Sequence, residues 1–146
     1  MTQQSNQQRP DILLVEDDAN DIAVAMRAFR QHSLAERVLV LRDGAELVDY
    51  MKAVGGATPR PKLILLDLRM PRLDGRAALR ELRSTESSRR VPIVIVSSSR
   101  QREDVRECYA LGANSFVVKQ MNPRAPGEYL VDVVRYWLDL NEPSPA

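Results

Sequence analysis

The chain has 146 residues, 44% hydrophobic and 28% charged, with a formal net charge of +1. That length suits one ordinary domain, and that balance excludes a disordered polyelectrolyte. Mixed signs along the chain give no reason to expect a nucleic-acid or anionic-membrane surface, and the single Cys108 excludes an internal disulfide.

Residues 1–10 are polar, lack a hydrophobic signal segment and read as a short disordered tail. Asp11–Glu16 (DILLVE) is a nearly continuous apolar strand. A helix is predicted from Ala19 to His32, capped by Asp18, with Asp21 in the favourable first turn. Ile22, Ala25, Met26 and Phe29 give it one apolar face. Arg37–Leu41 is a second strand, broken by Asp43 and Gly44, and Glu46–Ala53 is helical with Leu47, Tyr50 and Met51 inward. Gly55–Pro61 is a turn-rich connection.

Lys62–Leu66 is the third strand, and Pro71–Gly75 a loop. Arg76–Thr85 is a helix with Ala78, Leu79 and Leu82 on one side. Pro92–Val96 is the fourth strand. A helix over Arg102–Leu111 stops at Gly112. Ser115–Val118 is the fifth strand, and a last helix covers Pro126–Leu140, followed by a short tail over 141–146. The numerous arginines, among them Arg72, Arg76 and Arg83, read as solvated surface. Cys108 reads as a small packed side chain rather than a nucleophile partnered by His32, and a reducing compartment is expected. No apolar run approaches a membrane span.

Five β–α units with strands apolar throughout imply a parallel sheet covered on both faces, a doubly wound α/β structure. Ligands of such sheets lie beyond the carboxyl ends of the strands. The residues falling there are Glu16, Asp17 and Asp18; Asp67; Ser97 and Ser98; and Lys119. Taken singly, each has an ordinary explanation: a helix cap, a solvated lysine, a serine loop. Together they form a set suited to a hard divalent cation with oxygen ligands and to a phosphate. Lys119 is a positive point charge for phosphate, and Asp67 is a plausible carboxylate nucleophile.

With ILLVEDD, LILLDLRMPRLDG, PIVIVSSS and GANSFVVK in this order, the chain resembles the receiver domain of two-component response regulators over residues 11–140. The resemblance implies a flavodoxin-like (βα)5 fold with strand order 2-1-3-4-5 and a Mg2+ cofactor. It makes Asp67 the phosphoacceptor, Asp17 and Asp67 metal ligands together with the Arg69 backbone carbonyl, and Glu16 a ligand through water. It makes Lys119 the phosphate-binding lysine, and Ser97 and Phe116 the switch pair. VEDDANDI, VLRDG and YWLDLNEP are more narrowly similar to the stand-alone regulators paired with bacterial phytochrome histidine kinases. A sensor histidine kinase partner and a cytoplasmic location follow from that resemblance.

Two positions depart from the family. Gln120 stands where a proline, often cis, usually follows the lysine. A cis bond before a non-proline costs about 2.5–4 kcal/mol, so a trans, differently shaped loop is expected. Arg69 replaces a small polar residue and is expected to alter the lifetime of the phosphoryl group.

The last helix carries only Asp132, Arg135 and Asp139 as charges between residues 129 and 140. Its apolar face is wider than the roughly 100° stripe that packing requires. A homodimer through Tyr129, Val133, Tyr136, Trp137 and Leu140 is expected, with output by protein contact because only six residues follow. Two other classes compete. An Asp-nucleophile phosphatase or transferase commonly has a second acid where Arg69 stands. A pseudo-receiver would lack the chemistry that Asp17, Asp67, Ser97 and Lys119 supply. Neither nucleotide-binding glycine motif is present.

Overall fold

The computed structural model describes residues 9–56 and 60–145. Most of the expected N-terminal tail, part of the 55–61 connection and the last residue lie outside the described residues.

The strands are β1 (Ile12–Val15), β2 (Val38–Leu41), β3 (Leu63–Leu66), β4 (Ile93–Ser97) and β5 (Ser115–Val118). They form one parallel sheet in the order β2-β1-β3-β4-β5. All side chains of β1, β3 and β4 are buried. Their continuous apolar character is therefore what a sheet covered on both faces demands. The helices are α1 (Ala19–Gln31), α2 (Gly44–Val54), α3 (Gly75–Ser84), α4 (Arg102–Ala110) and α5 (Glu128–Arg135).

Strand parity sorts the core into two layers. Leu13, Val15, Ile64, Leu66, Ile93 and Ile95 face α2, α3 and α4, with Leu47, Met51, Leu79, Leu82 and Cys108 packed on them. Ile12, Leu14, Leu63, Leu65, Val94 and Val96 face α1 and α5, with Ala25, Phe29, Leu130, Val131 and Val134. Cys108 and His32 belong to opposite faces of the sheet. His32 binds Glu128 at 2.6 Å and Arg135 at 3.0 Å on α5, so no Cys/His pair exists.

Three helix starts carry side-chain caps of the same kind. Asp18, Asp43 and Asp74 each accept the amide hydrogen three residues on, at 2.8, 2.9 and 3.0 Å, filling donors that a helix start leaves open. Hence α2 starts at Gly44, two residues before the predicted Glu46. The last helix differs more. It starts at Glu128 because Gly127 is left-handed, with φ +75°. Beyond Arg135 it widens into a π-turn over Tyr136–Leu140, closed by the Asn141 amide donating to the Tyr136 carbonyl at 2.7 Å.

The arginines are less free than predicted. Arg72 pairs with buried Asp43, Arg76 with Asp104 and Glu107, and Arg37 with Asp11. Arg83 donates to the carbonyls of Gly112, Ser88, Arg89 and Val91 and to the Asn114 side chain. Burial lowers the Arg83 pKa, yet every contact offered is an acceptor. It ties the α3–β4 connection to the α4–β5 turn.

Candidate phosphoryl-transfer site

Backbone ladder bonds carry the site residues past the strand ends. The Glu16 amide donates to the Leu41 carbonyl at 2.9 Å, Asp67 to Val15 at 3.1 Å and Lys119 to Ser97 at 2.8 Å. Each of these residues is thus held in sheet register while its side chain emerges at the mouth. One carboxylate oxygen from each of Glu16, Asp17 and Asp67 lies within 4.8 Å of the others. Glu16 and Asp67 are buried, and Asp17 is exposed.

The Lys119 ammonium closes the cluster. Its Nζ lies 2.8 Å from Asp21 Oδ2, 3.0 Å from Glu16 Oε2 and 3.4 Å from Asp67 Oδ2. Burial works against the lysine's charge. The bonds to Asp21 and Glu16 and the negative field of Asp67 outweigh it, holding the ammonium well above its ordinary pKa. Burial, reinforced by the neighbouring charge of Asp67, pushes the Glu16 carboxyl up to about 7 despite its bond to Lys119.

Three carboxylates, Glu16, Asp21 and Asp67, thus share one ammonium, and Asp17 completes the acidic cluster without touching it. Hard oxygen donors with two of the three clustered carboxyls buried fit a divalent cation far better than they fit each other. The donor set and its spacing suit Mg2+.

The cluster opens into a cavity of about 800 Å³ between α1 and the β5–α5 loop. Asp67, Glu16, Asp21 and Lys119 line its polar end, and Val24, Ala25, Leu65, Val96 and Leu130 its apolar end. The loop from Gln120 to Pro126 forms one wall, with Met121 95% exposed.

Ser97 is buried at the end of β4, on the α2–α3–α4 side by strand parity, and its hydroxyl accepts the Ser99 amide hydrogen at 3.1 Å. Phe116 is partly buried against the same layer, so the expected switch pair shares one face of the sheet. Arg69 is exposed on the loop after β3. Of the five expected interface residues, Tyr136 and Leu140 are exposed, at 47% and 77%. Tyr129, Val133 and Trp137 are partly buried against their own core. Tyr129 also lines the cavity near Lys119.

Several site-shaping residues lay outside the sequence reading. The sequence places Asp21 only at the helix dipole, whereas it bonds Lys119 at 2.8 Å. Asp43, Gly44, Arg72 and Gly75 together fix the loop that follows Asp67. The Gly44 amide donates to the Leu73 carbonyl at 3.0 Å, and Gly75 to Leu68 at 2.9 Å. A Cβ on Gly44 would meet the Leu73 carbonyl oxygen at 2.3 Å, and one on Gly75 the Asp67 carbonyl oxygen at 2.2 Å. The DG pairs at 43–44 and 74–75 were the available signal: each is a cap followed by a residue without a side chain.

Residues 12–128 match the family model of the response regulator receiver domain. A probable methanogenesis regulatory protein, FilR2 of Methanothrix harundinacea (strain 6Ac), is 34% identical over 137 residues, covering 92% of this chain and 88% of the relative. The phosphorylated cyanobacterial phytochrome response regulator RcpA superposes with a TM-score of 0.82 at 31% identity, covering 94% of this chain and 99% of that one. The receiver domain of a sensor histidine kinase from Pseudomonas aeruginosa PAO1, with a magnesium ion coordinated in its active site cleft, gives 0.71 at 30% identity, covering 88% and 97%.

Proposed function

The chain belongs to the response regulator receiver domain family, and from that premise we propose that it accepts a phosphoryl group on Asp67 from a sensor histidine kinase and signals by changed protein contacts. The observation that carries this reading is the meeting of Glu16, Asp17, Asp67 and Lys119 at the strand mouths. Asp17, Asp67 and the Arg69 backbone carbonyl would hold Mg2+, with Glu16 acting through water. When bound, the metal supplies positive charge to the phosphoryl oxygens.

An Asp67 carboxylate oxygen attacks phosphorus in line. The bond from phosphorus to the donor imidazole nitrogen breaks, and that nitrogen keeps the electron pair. Lys119 offers its ammonium to a phosphoryl oxygen. The group brings about −1.5 to −2 charge, drawing the Ser97 hydroxyl toward it and letting Phe116 repack against its layer. The similarity to a phytochrome response regulator supports a bacteriophytochrome as the kinase. Exposed Tyr136 and Leu140 support a homodimer through the last helix. No helix among the described residues is long and apolar enough to cross a membrane; the cytoplasmic location proposed for the chain rests on its family.

Incubation with acetyl phosphate and Mg2+ tests the reading. A phosphoryl mass gain in the wild type, absent in Asp67→Asn, is expected. Without any gain, the chain would be a binding module that keeps the fold and has lost the chemistry. Multiple turnover of phosphoesters would make it an enzyme instead.

A further inference from the structure

Lys119 makes its shortest bond to Asp21, at 2.8 Å, rather than to Asp67, at 3.4 Å. Asp21 stands on the first turn of α1, and its amide is committed to the Asp18 cap. Its backbone is therefore fixed and its carboxylate projects from a defined point. Both Asp21 and Lys119 line the cavity that leads to Asp67. Asp21 lies outside the three-carboxylate cluster, and Lys119 is its one ion-pair partner among the described residues.

An ammonium has three donors. Here they serve three carboxylates, on α1, at the end of β1 and at the end of β3. A phosphoryl oxygen arriving at Asp67 can bind Lys119 only if one of these acceptors gives way. Asp21 is the acceptor whose loss disturbs the site least. It is half-exposed, with 48% of its side chain accessible against 6% for Glu16 and 11% for Asp67, so water can replace the lysine on it.

We propose that Asp21 is a positioning residue for phosphoryl transfer: it holds Lys119 toward α1 in the resting state, and Lys119 exchanges Asp21 for the phosphoryl group when Asp67 is phosphorylated. The proposal rests on the reading of Asp67 as phosphoacceptor and adds a residue outside the family's motif set. It implies that the resting protein restrains its own phosphorylation, because the lysine must leave one carboxylate before it can serve the incoming group. It also implies that phosphorylation frees α1 from the β5–α5 loop at the cavity mouth.

The test is phosphorylation by acetyl phosphate at saturating Mg2+ in wild type, Asp21→Asn, Asp21→Glu, Lys119→Ala and the Asp21→Asn/Lys119→Ala double variant. The Lys119 ammonium resonance is followed in the first three. Asp21→Asn should raise the phosphorylation rate about two- to fivefold, the equivalent of a half-exposed ion pair. It should also speed exchange of the ammonium protons, and Asp21→Glu should restore both toward wild type. The rate gain should vanish in the Lys119→Ala background, since the effect acts through that side chain. An equal gain in both backgrounds would mean a general charge effect and overturn the proposal, as would an unchanged rate or unchanged proton exchange in Asp21→Asn. Wild type that takes no phosphoryl group overturns the underlying reading and this proposal with it. Normal phosphorylation, lost in Asp67→Asn but unmoved by Asp21→Asn, overturns this proposal alone.

Discussion

Arg76 Nη2 lies 2.5 Å from Asp104 Oδ1, joining the first turn of α3 to the first turn of α4. The other Asp104 oxygen accepts the Ser99 hydroxyl hydrogen. Ser99 in turn donates its amide hydrogen to the Ser97 hydroxyl at 3.1 Å. A chain of polar contacts therefore runs from α3 to the serine expected to answer phosphorylation. Both partners of the ion pair are mostly buried, at 25% and 17% exposure, so solvent screens the pair less than a surface one and removing either partner strands the other's charge.

Breaking that pair should loosen the β4–α4 loop while the fold survives. Asp104→Asn or Arg76→Ala is expected to lower stability by about 1–2 kcal/mol and to speed hydrogen exchange at the Ser99 amide. If Ser99 exchange stays at the wild-type rate while stability falls, the pair is only a brace and does not reach Ser97.

The Asp43–Arg72 pair predicts an acid-limb effect. Burial opposes the Asp43 charge, but the Glu46 amide and the Arg72 guanidinium outweigh it and hold the carboxyl below its usual pKa. Its folded value is then below its unfolded one, so the stabilisation is present above the unfolded pKa. It is lost as pH falls through the folded value. Removing the guanidinium with Arg72→Ala should therefore cost most near neutral pH and least at the acid end of that window. Urea midpoints across pH check this, and a cost that is equal at every pH would rule it out.

Arg72 is itself left-handed, with φ 64°, an uncommon state for a residue with a Cβ. The Arg72–Asp43 ion pair holds that conformation, and Gly44 and Gly75 pack directly on the backbone of the same loop. Gly75→Ala is expected to lower stability by about 1–3 kcal/mol through overpacking and to slow phosphorylation by displacing the Asp67 carbonyl. Gly56, whose Cβ would meet nothing nearer among the described residues than Arg60 at 4.0 Å, supplies the control, and Gly56→Ala should be nearly neutral. Equal effects at the two glycines would count against the steric account.

What could be read in the chain was what repeats locally. Runs such as LILL and PIVIV carried strand identity because a strand buried on both faces must be apolar at every position. Their ends then located Asp67, Ser97 and Lys119, because a parallel sheet delivers all its strand ends to one edge. Asp21 and Lys119 are 98 residues apart, and Asp43 and Arg72 are 29 apart. Nothing local marks such pairs, so Asp21 read as a helix-dipole acid and Arg72 as solvated surface. The break at Gly127 and the π-turn at Tyr136 escaped for a related reason. Apolar periodicity locates a helical face without reporting a widened turn within it.

Arg69 is exposed two residues past Asp67, the proposed phosphoacceptor. A guanidinium there can hydrogen-bond a phosphoryl oxygen and crowd the path of an attacking water. Arg69→Asn is expected to shorten the phosphoryl lifetime several-fold, measured by loss of the Asp67 adduct after donor removal. An unchanged decay rate would remove any role for the side chain.

The π-turn divides the last helix between core and surface. Trp137 and Leu138 pack partly on the α1–α5 layer, and Tyr136 meets Trp137 edge-on with ring centroids 5.2 Å apart. Tyr136 and Leu140 face solvent. Those two are the better probes of association, because Trp137→Ala would also open a gap in the core. Leu140→Arg and Tyr136→Ala should therefore leave thermal stability nearly unchanged while converting a wild-type dimer to monomer in sedimentation. A wild-type monomer at micromolar concentration would sink the interface. A dimer indifferent to both substitutions would move it to another face.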